Sequence, residues 1–166
     1  MEYKEAKDKF IQSWGVLGKN WGINRTMAQV HALLLISPES LSAEEIMAEL
    51  NISRGNANMN VRALMDWGMV KKVVKPGERK EFFYADKDIW ALAKQVMIER
   101  RKREIDPLLS ALQEIKDIDE SGPEAETLTK VTEDFEAFAD RLTKMADVAI
   151  KSDEHWFLGT VMKLMK

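Results

Sequence analysis

The chain has 166 residues, of which 45% are hydrophobic and 32% charged, and its formal net charge is −3, as expected for one globular domain or a small domain plus a dimerisation element. It contains no cysteine, so disulfides, thiolate catalysis and cysteine-ligated metal centres are excluded. Residues 1–5 lack the character of a signal peptide and the longest apolar run, residues 32–36, cannot span a bilayer, so we expect a cytoplasmic protein without a membrane partner.

Two helices are predicted at the start of the chain. The first covers Tyr3 to about Lys19, because apolar side chains recur there at helical spacing and predict a stripe that is buried or faces a partner. The stripe consists of Tyr3, Phe10, Trp14, Leu17 and Trp21. The second helix should begin after Asn24, a good N-cap, and end at Ser37, since the following proline disfavours helix there. Its inward side chains should be Met27, Val30, Leu33 and Leu34.

The next stretch predicts a helix-turn-helix, because each boundary has a chemical signature. Ser42 and Glu45 form a capping-box pattern at the start of a two-turn helix, which Asn51 should end. Ser53 offers a second N-cap, and Gly68 supplies a left-handed cap after the second helix. This second helix is the one that would enter the major groove of DNA.

Helical spacing gives this second helix two faces. Ala57, Val61 and Leu64 fall on the side that should pack on the first helix of the motif. Arginine and asparagine pair well with guanine and adenine edges, and asparagine is otherwise a poor helix former, so three asparagines within positions 56–60 suggest a choice other than helix stability. The residues predicted to address the major groove are Arg54, Asn56, Asn58, Met59 and Arg62. A solvated helix with indifferent polar residues is the alternative.

A basic β-hairpin, or wing, is predicted to follow. Residues 69–74 and 81–84 have the pattern of strands, with Pro76-Gly77 as the turn between them. Seven basic and three acidic residues lie in positions 51–85, which gives this segment +4 in a chain whose net charge is −3. Cationic side chains contact DNA phosphates, so Lys75, Arg79 and Lys80 are predicted to hold the backbone.

These segments resemble a known protein family. The resemblance rests on Gly22–Leu35, on the helix start Ser53-Arg54-Gly55, on Asp66–Val70 and on Pro76–Lys80. The Gly-X-X-Arg-Thr opening and the Trp-Gly-hydrophobic-Val ending are the most diagnostic parts, and over roughly residues 5–118 the chain resembles the GbsR-like branch of the MarR winged-helix repressors. The resemblance implies a dimeric bacterial or archaeal transcription regulator, and some members of the branch sense choline or glycine betaine. The second helix is asparagine-rich where relatives often have Ser and Ala, so neither operator nor effector is implied.

The C-terminal half predicts a long linker helix. Asp88 can cap it, and Ile89, Leu92 and Val96 supply its apolar side. Pro107 then either starts a new helix or kinks a continuous one, and the kinked helix is favoured. The very polar run at residues 99–104 has the charge to contact nucleic acid, but a solvated stretch of helix is the commoner meaning.

A dimerisation seam is predicted beyond the break at residues 119–123. Apolar residues alternate at spacings of three and four for three heptads, as in a coiled coil, and they are Leu128, Val131, Phe135, Phe138, Leu142, Met145 and Ala149. Two phenylalanines are bulky for a simple two-stranded coil, so a helical bundle shared by two subunits fits better. The acidic outer face comprises Glu133, Asp134, Glu136 and Asp140, and residues 155–166 should fold back on the bundle.

The sequence holds no catalytic constellation, so an enzyme is a distant third possibility. His31 lies in an apolar helix, where a hydrogen-bonded core or interface residue is commoner than a ligand. Carboxylates do not converge as a metal site requires, and no cofactor motif is found. Four tryptophans form a candidate effector pocket, because aromatic cages attract quaternary ammonium compounds, although core packing is their commoner role. They are Trp14, Trp21, Trp67 and Trp90.

The predicted fold is mainly α with a small β-hairpin wing. A winged helix-turn-helix covers residues 1–87, with its first helix also in the dimer interface, and a helical linker and dimerisation region covers 88–166. The predicted function is a regulator of transcription, a repressor that binds double-stranded DNA sequence-specifically as a homodimer. An effector would alter the spacing of two recognition helices, which must match half-sites about one DNA turn apart. The alternative is a winged-helix protein-interaction module without specific DNA readout.

Overall fold

The computed structural model describes residues 1–20, 22–115 and 121–151, and their contacts divide the chain into two units, Met1–Leu92 and Ala93–Lys166. The first unit holds α1 (Tyr3–Asn20), α2 (Arg25–Ile36), β1 (Leu41–Ser42), α3 (Ala43–Leu50), α4 (Arg54–Asp66), β2 (Val70–Val73), β3 (Phe82–Ala85) and the first residues of α5 (Ile89–Arg100). The second unit holds the rest of α5, a π-turn (Arg101–Ile105), α6 (Asp106–Glu114) and α7 (Pro123–Lys151). The sequence predicts a division between residues 87 and 88, whereas the boundary by contacts falls inside α5.

Three short strands form the sheet of the wing. Their order is β1–β3–β2, and both pairings are antiparallel. Leu41 lies opposite Phe83, and Val70 lies opposite Ala85. The predicted hairpin of β2 and β3 is confirmed, but the sequence does not reveal β1, because two residues are too few to show the alternation of a strand.

Helices α2 and α3 begin where their capping residues predict. Asn24 Oδ1 accepts a hydrogen bond from Thr26 N at 2.8 Å. Ser42 Oγ accepts from Glu45 N at 3.3 Å, and Glu45 Oε2 accepts from Ser42 N at 2.7 Å, which completes the predicted capping box. Asn51 ends α3 in the left-handed conformation, with φ of 51°. The side-chain oxygens thus satisfy N–H groups that a first helical turn leaves without partners.

The end of α4 directs the chain into β2. Gly68 has φ of 68°, a conformation that costs other residues more than glycine. Its N–H donates to the carbonyl of Met65, and Met69 N–H donates to that of Leu64, both at 2.9 Å. This pair of bonds is a Schellman motif, so the predicted glycine cap is confirmed.

One hydrophobic core organises the first unit, and α2 runs through it. Its buried members are Ile11, Met27, Val30, Ala32, Leu33, Leu34, Ile46, Ala57, Val61, Leu64, Val70, Phe83 and Ala85. They come from α1, α2, α3, α4 and two of the strands, so α4 and the wing are fixed to the same set of side chains. The inward residues predicted for α2 are confirmed.

Helix α1 presents a different face to this core from its predicted apolar stripe. Its buried positions are Ile11, Gly15 and Gly18. Within the stripe, Phe10 and Trp14 are half-buried, Tyr3 and Leu17 are exposed, and Trp21 lies outside the described residues. Phe10 and Trp14 thus pack against the core from beside the fully buried face of α1, while the predicted partner-facing role of Tyr3 and Leu17 stays a prediction. Hydrophobic spacing misses the true face because two of its three members are glycines.

The linker helix is continuous, as favoured from the sequence. Asp88 Oδ1 accepts from Ala91 N at 3.0 Å and caps α5. Helical structure then continues through the π-turn into α6, and Asp106 N–H donates to the carbonyl of Arg101, five residues earlier. Pro107 follows directly. Since a proline ring crowds the carbonyl four residues before it, the wider turn gives it room without ending the helix.

The polar run at residues 99–104 is tied up in ion pairs. The pairs are Arg100 with Glu104 at 3.0 Å, Arg101 with Asp147 of α7 at 2.8 Å, and Arg103 with Glu99 at 3.1 Å. The sequence predicts a solvated stretch here, but Glu99 is buried, so only part of the run is solvated. Each of these arginines has a carboxylate partner, which leaves less of its charge available to nucleic acid.

Helix α7 leaves most of the predicted seam exposed. The exposed members are Leu128, Val131, Phe135, Phe138, Leu142 and Met145. Ala149 is instead buried, as are Thr132 and Ala139. Glu136 is half-buried and does not belong to the acidic outer face. The predicted packing of residues 155–166 lies outside the described residues.

His31 occupies the core, as predicted for a residue that is not a ligand. It is 1% exposed, and its ring centre lies 6.2 Å from that of Trp14. Burial, with a smaller effect from the charge of Lys87, lowers its pKa to about 4. The predicted hydrogen bond is not made by Nδ1, which has no partner among the residues that the structure describes.

This burial predicts a pH-dependent stability. Between pH 6.5 and about 4 the unfolded chain binds a proton on His31 that the folded chain does not bind. The free energy of unfolding should therefore fall as pH is lowered through that window, by up to about 3 kcal/mol. Urea unfolding gives the free energy of unfolding of wild type and His31→Leu at several pH values. The His31 contribution is the difference between the slopes of the two plots of this free energy against pH. Parallel slopes would contradict it.

The α1–α2 crossing predicts a sharp difference between two glycines. A Cβ on Gly18 would lie 2.5 Å from Ala28 Cβ, whereas one on Gly55 meets nothing within 4 Å. Gly18→Ala should therefore destabilise the protein by about 1–3 kcal/mol through overpacking. The matched control, Gly55→Ala, should be neutral or stabilising by up to about 1 kcal/mol. Thermal unfolding compares the two, and equal midpoints would show that the crossing relaxes freely.

Candidate nucleic-acid interface

Helix α4 has the two faces that its sequence predicts. Ala57, Val61 and Leu64 are at most 1% exposed and face the core. On the other side Met59 is 60% exposed and Arg62 is exposed, while Arg54 is exposed at the N-terminal tip of the helix. One side of α4 therefore holds it in place, and its other side and its tip present two guanidinium groups and a thioether to solvent.

The asparagines of α4 have unequal roles. Ser53 Oγ accepts from Asn56 N at 3.3 Å as the predicted N-cap. Asn60 is buried, and its Nδ2 donates to the carbonyl of Asn56 at 2.8 Å and to Asn56 Oδ1 at 2.6 Å. Asn60 is therefore structural, which corrects the idea that all three asparagines were chosen for a partner. Asn56 is half-buried and engaged by this bond, while Asn58, also half-buried, borders the groove described below.

The predicted turn of the wing is confirmed. Glu78 N–H donates to the carbonyl of Lys75 at 3.1 Å, and Gly77 has φ of 82°. Proline followed by a left-handed glycine is the pattern of a type II turn. Lys75 is half-buried with its ammonium 4.2 Å from the ring centre of Phe82. Its charge is thus partly engaged within the wing.

A groove joins the start of α4 to the tip of the wing. One hollow in it is lined by Ala43, Glu44, Arg54, Asn58, Arg79, Lys80, Glu81 and Phe83. An adjoining hollow is lined by Asn58, Val61, Arg62, Met65, Lys72, Glu81 and Phe83. The structure therefore brings four predicted site residues to one hollow and Arg62 to the next. Lys75 lines a third hollow, beside Lys80 and the start of α3.

Carboxylates lie among these cations. Arg54 Nη2 is 3.0 Å from Glu44 Oε1, and Lys72 is paired with Glu81. The hydrogen bond from Lys72, together with its charge and that of Arg62, lowers the pKa of Glu81. Glu44, Lys72 and Glu81 were not among the site residues predicted from the sequence. The register of the hairpin signals the Lys72–Glu81 pair once the turn is placed, but no local pattern signals a pair between α3 and α4.

Glu45 shows how close the wing lies to α3. Hydrogen bonds from Ser42, first from its backbone N–H and then from its side chain, lower the pKa of Glu45. The charges of Lys75 and Lys80 lower it further. Both lysines therefore act on the N-terminal end of α3 from across the groove.

The four tryptophans of the candidate effector pocket lie in varied settings. Trp14 is half-buried and stacks on Phe10 with ring centres 5.4 Å apart. Trp67 is half-buried against the core, Trp90 is half-buried on α5, and Trp21 lies outside the described residues. Packing thus accounts for Trp14 and Trp67.

The described ranges contain neither a metal-binding cluster nor a membrane-spanning helix. Within them, no three His, Asp or Glu side chains come close enough together to hold a metal ion. None of the helices in these ranges has the length and apolar character needed to cross a membrane.

Comparison with known proteins finds similarity to transcription regulators. A sequence model of the MarR family matches residues 21–81, which contain α2, the helix-turn-helix and most of the wing. The HTH-type transcriptional repressor GbsR of Bacillus subtilis (strain 168) is 26% identical over 155 residues, 87% of this chain and 86% of the relative. A crystal structure of a transcriptional regulator shares the fold with a TM-score of 0.58 and 20% identity, covering 86% of this chain and 99% of the other. The resemblance to the GbsR-like branch of the MarR-type winged-helix transcription regulators, predicted from the sequence, is thus confirmed.

Proposed function

We propose that this regulator is a homodimeric repressor that binds double-stranded DNA in a sequence-specific manner in the cytoplasm. The observation that carries the proposal is the groove, in which the tip of α4 and the tip of the wing present Arg54, Asn58, Arg79 and Lys80 together. An α-helix fits the major groove, and an adjacent basic hairpin reaches the neighbouring phosphates.

The outward side chains of α4 suit base edges. Arg54 and Arg62 can form two hydrogen bonds to the O6 and N7 atoms of guanine, and Asn58 can do so with adenine. Met59 offers an apolar contact for a thymine methyl group. Asn56 would contact the DNA major groove through its side-chain N–H groups, because Asn60 already donates to its side-chain oxygen. Lys75, Arg79 and Lys80 would hold the phosphates.

The exposed apolar stripe of α7 supports the homodimer. Six large apolar side chains lie along one face of a 29-residue helix, and they are between 39% and 69% exposed. Phe135 and Phe138 meet edge to face, with ring centres 6.5 Å apart. Association of two copies would remove such a stripe from water, and each side chain, already about half buried, would contribute on the order of 1 kcal/mol. A two-fold dimer would also present two recognition helices to a palindromic site.

Repression and effector control are inferred from the relative rather than from geometry. A protein seated on an operator excludes other proteins from it, and the relative from Bacillus subtilis is named a repressor. The resemblance to a choline- and betaine-sensing branch makes a quaternary ammonium compound the first effector to test. Release of bound duplex by choline chloride, and not by potassium chloride at equal ionic strength, would establish that control.

Selection of bound sequences from a random duplex pool tests the proposal. A regulator should recover a two-fold symmetric sequence, and its affinity should fall steeply with salt because phosphate contacts release counterions. A protein-interaction module should recover no preferred sequence and bind no duplex even at low salt. That result would reject the proposed function.

Arg62 tests the recognition helix. Arg62→Ala should weaken binding by about 1–3 kcal/mol and relax the preference at one position if the guanidinium meets a base. If it meets a phosphate, binding should weaken equally for all sequences. Fluorescence anisotropy with the selected and a random duplex separates the two cases, and Lys4→Ala removes an exposed cation elsewhere as a control. Unchanged affinity for both duplexes would remove Arg62 from the interface.

The tip of the wing has its own test. Replacing Arg79 and Lys80 with alanine should lower affinity for every duplex, because phosphate contacts carry no sequence information. The salt dependence should become shallower by about two units at most, one for each lost contact. Titrations at several salt concentrations measure this slope. An unchanged slope would mean that the wing tip does not reach the backbone.

The stripe of α7 is tested by charge. Phe135→Asp with Phe138→Asp should abolish the dimer and, with it, tight DNA binding, because separate subunits lose the effective concentration of a linked pair of half-sites. Ala137→Asp, at an exposed position off the stripe, is the matched control. Light scattering gives the mass of each variant. A folded, dimeric double variant would place the interface elsewhere, first on α1 at Phe10, Trp14 and Leu17.

A further inference from the structure

Two acidic side chains stand inside the basic groove. Glu44 pairs with Arg54 at 3.0 Å, and Glu81 pairs with Lys72. Both carboxylates line the hollow shared by α4 and the wing tip, and Glu81 also lines the hollow beside Arg62. Two of the cations that line the groove, Arg54 and Lys72, are therefore partly neutralised by the protein itself.

Fold stability is a weak explanation for these pairs. The four side chains are between 43% and 68% exposed, and exposed ion pairs contribute little to folding because water and salt screen them. Glu44 adds a favourable charge at the first turn of α3, but Glu45 already supplies both the charge and the capping bond there. The position of the carboxylates in the groove thus calls for a role in binding.

A carboxylate in a DNA-binding groove repels phosphate and competes with it for the nearby cation. A complex with random DNA depends almost wholly on phosphate contacts, so it bears the full effect. A complex with the correct sequence can regain the binding free energy that the carboxylates cost. Guanine edges can draw Arg54 away with two hydrogen bonds, and a cytosine amino group can donate to a glutamate.

We propose that Glu44 and Glu81 are specificity-determining residues of the interface, which hold Arg54 and Lys72 back from phosphates and so weaken binding to random DNA more than binding to the operator. This inference rests on the proposed function. It assigns the discrimination against random sequence to repulsive elements as well as to the base contacts of α4.

Glutamine variants test this directly, since Glu44→Gln and Glu81→Gln keep the shape and remove the charge. The matched control is Glu49→Gln, which removes the same charge from an exposed glutamate that pairs with the half-buried Lys7 at 2.5 Å and borders neither hollow. Dissociation constants are measured for the selected duplex and for a random duplex of equal length, at several salt concentrations. Thermal unfolding of each variant confirms that it is folded.

Each groove variant should bind random DNA about two- to fivefold more tightly, the range that one exposed ion pair is worth. Its salt dependence should steepen by up to about one unit, because one more cation reaches phosphate. Affinity for the selected duplex should change less, so the discrimination between the two duplexes falls, while Glu49→Gln should leave it unchanged.

Three results would overturn the inference. They are an equal gain for both duplexes, the same effect in Glu49→Gln, or no gain for random DNA in either groove variant. Failure of the proposed function has a different signature, since the wild-type protein would then bind no duplex at low salt.

Discussion

The seating of α4 on the core is the constraint on which the interface depends. Ala57, Val61 and Leu64 are buried with the side chains of α2, and this fixes the rotation of α4 about its own axis. A helix rotated by one residue would turn about 100° and bury Asn58 and Arg62 in an apolar core. The buried residues of α4 therefore determine which of its side chains face the solvent.

The same core also sets the position of the wing. Val70, Phe83 and Ala85 belong to the cluster that holds α4, and β1 joins the sheet directly before the capping box of α3. Lys87 adds a further tie, because its ammonium donates to the carbonyl of Leu34 near the end of α2 at 2.9 Å. Helix α4 and the wing thus share one set of packing contacts, which fixes the candidate DNA contacts of both relative to each other.

The features that could be predicted from the sequence are those that neighbouring residues control, namely the helix ends and the faces of α4. Caps at Asn24, Ser42, Ser53, Asp88 and Gly68 are each decided by a few neighbouring atoms, so the helix boundaries could be placed closely. The faces of α4 follow from helical periodicity alone. The family resemblance carried the fold class, because its motifs sit at the same boundaries.

What escaped prediction depends on contacts between distant segments. The bond between Asn60 and Asn56 is local, but only the burial of Asn60 shows that it is structural. The two strand residues of β1 acquire meaning only from β3, and the Glu44–Arg54 pair only from the angle between two helices. The buried face of α1 was missed because its glycines allow α2 to approach closely. A pattern of hydrophobic residues does not register a glycine.

Gly55 has a consequence for how this protein can change over time. It lies on the exposed side of α4 in ordinary helical backbone, and the space in front of it is empty. Almost any side chain could be introduced there without disturbing the fold. A single substitution would then place a new side chain at the start of α4, beside the proposed DNA contacts. A duplicated copy of the gene could in this way acquire a different set of target promoters while keeping the same scaffold.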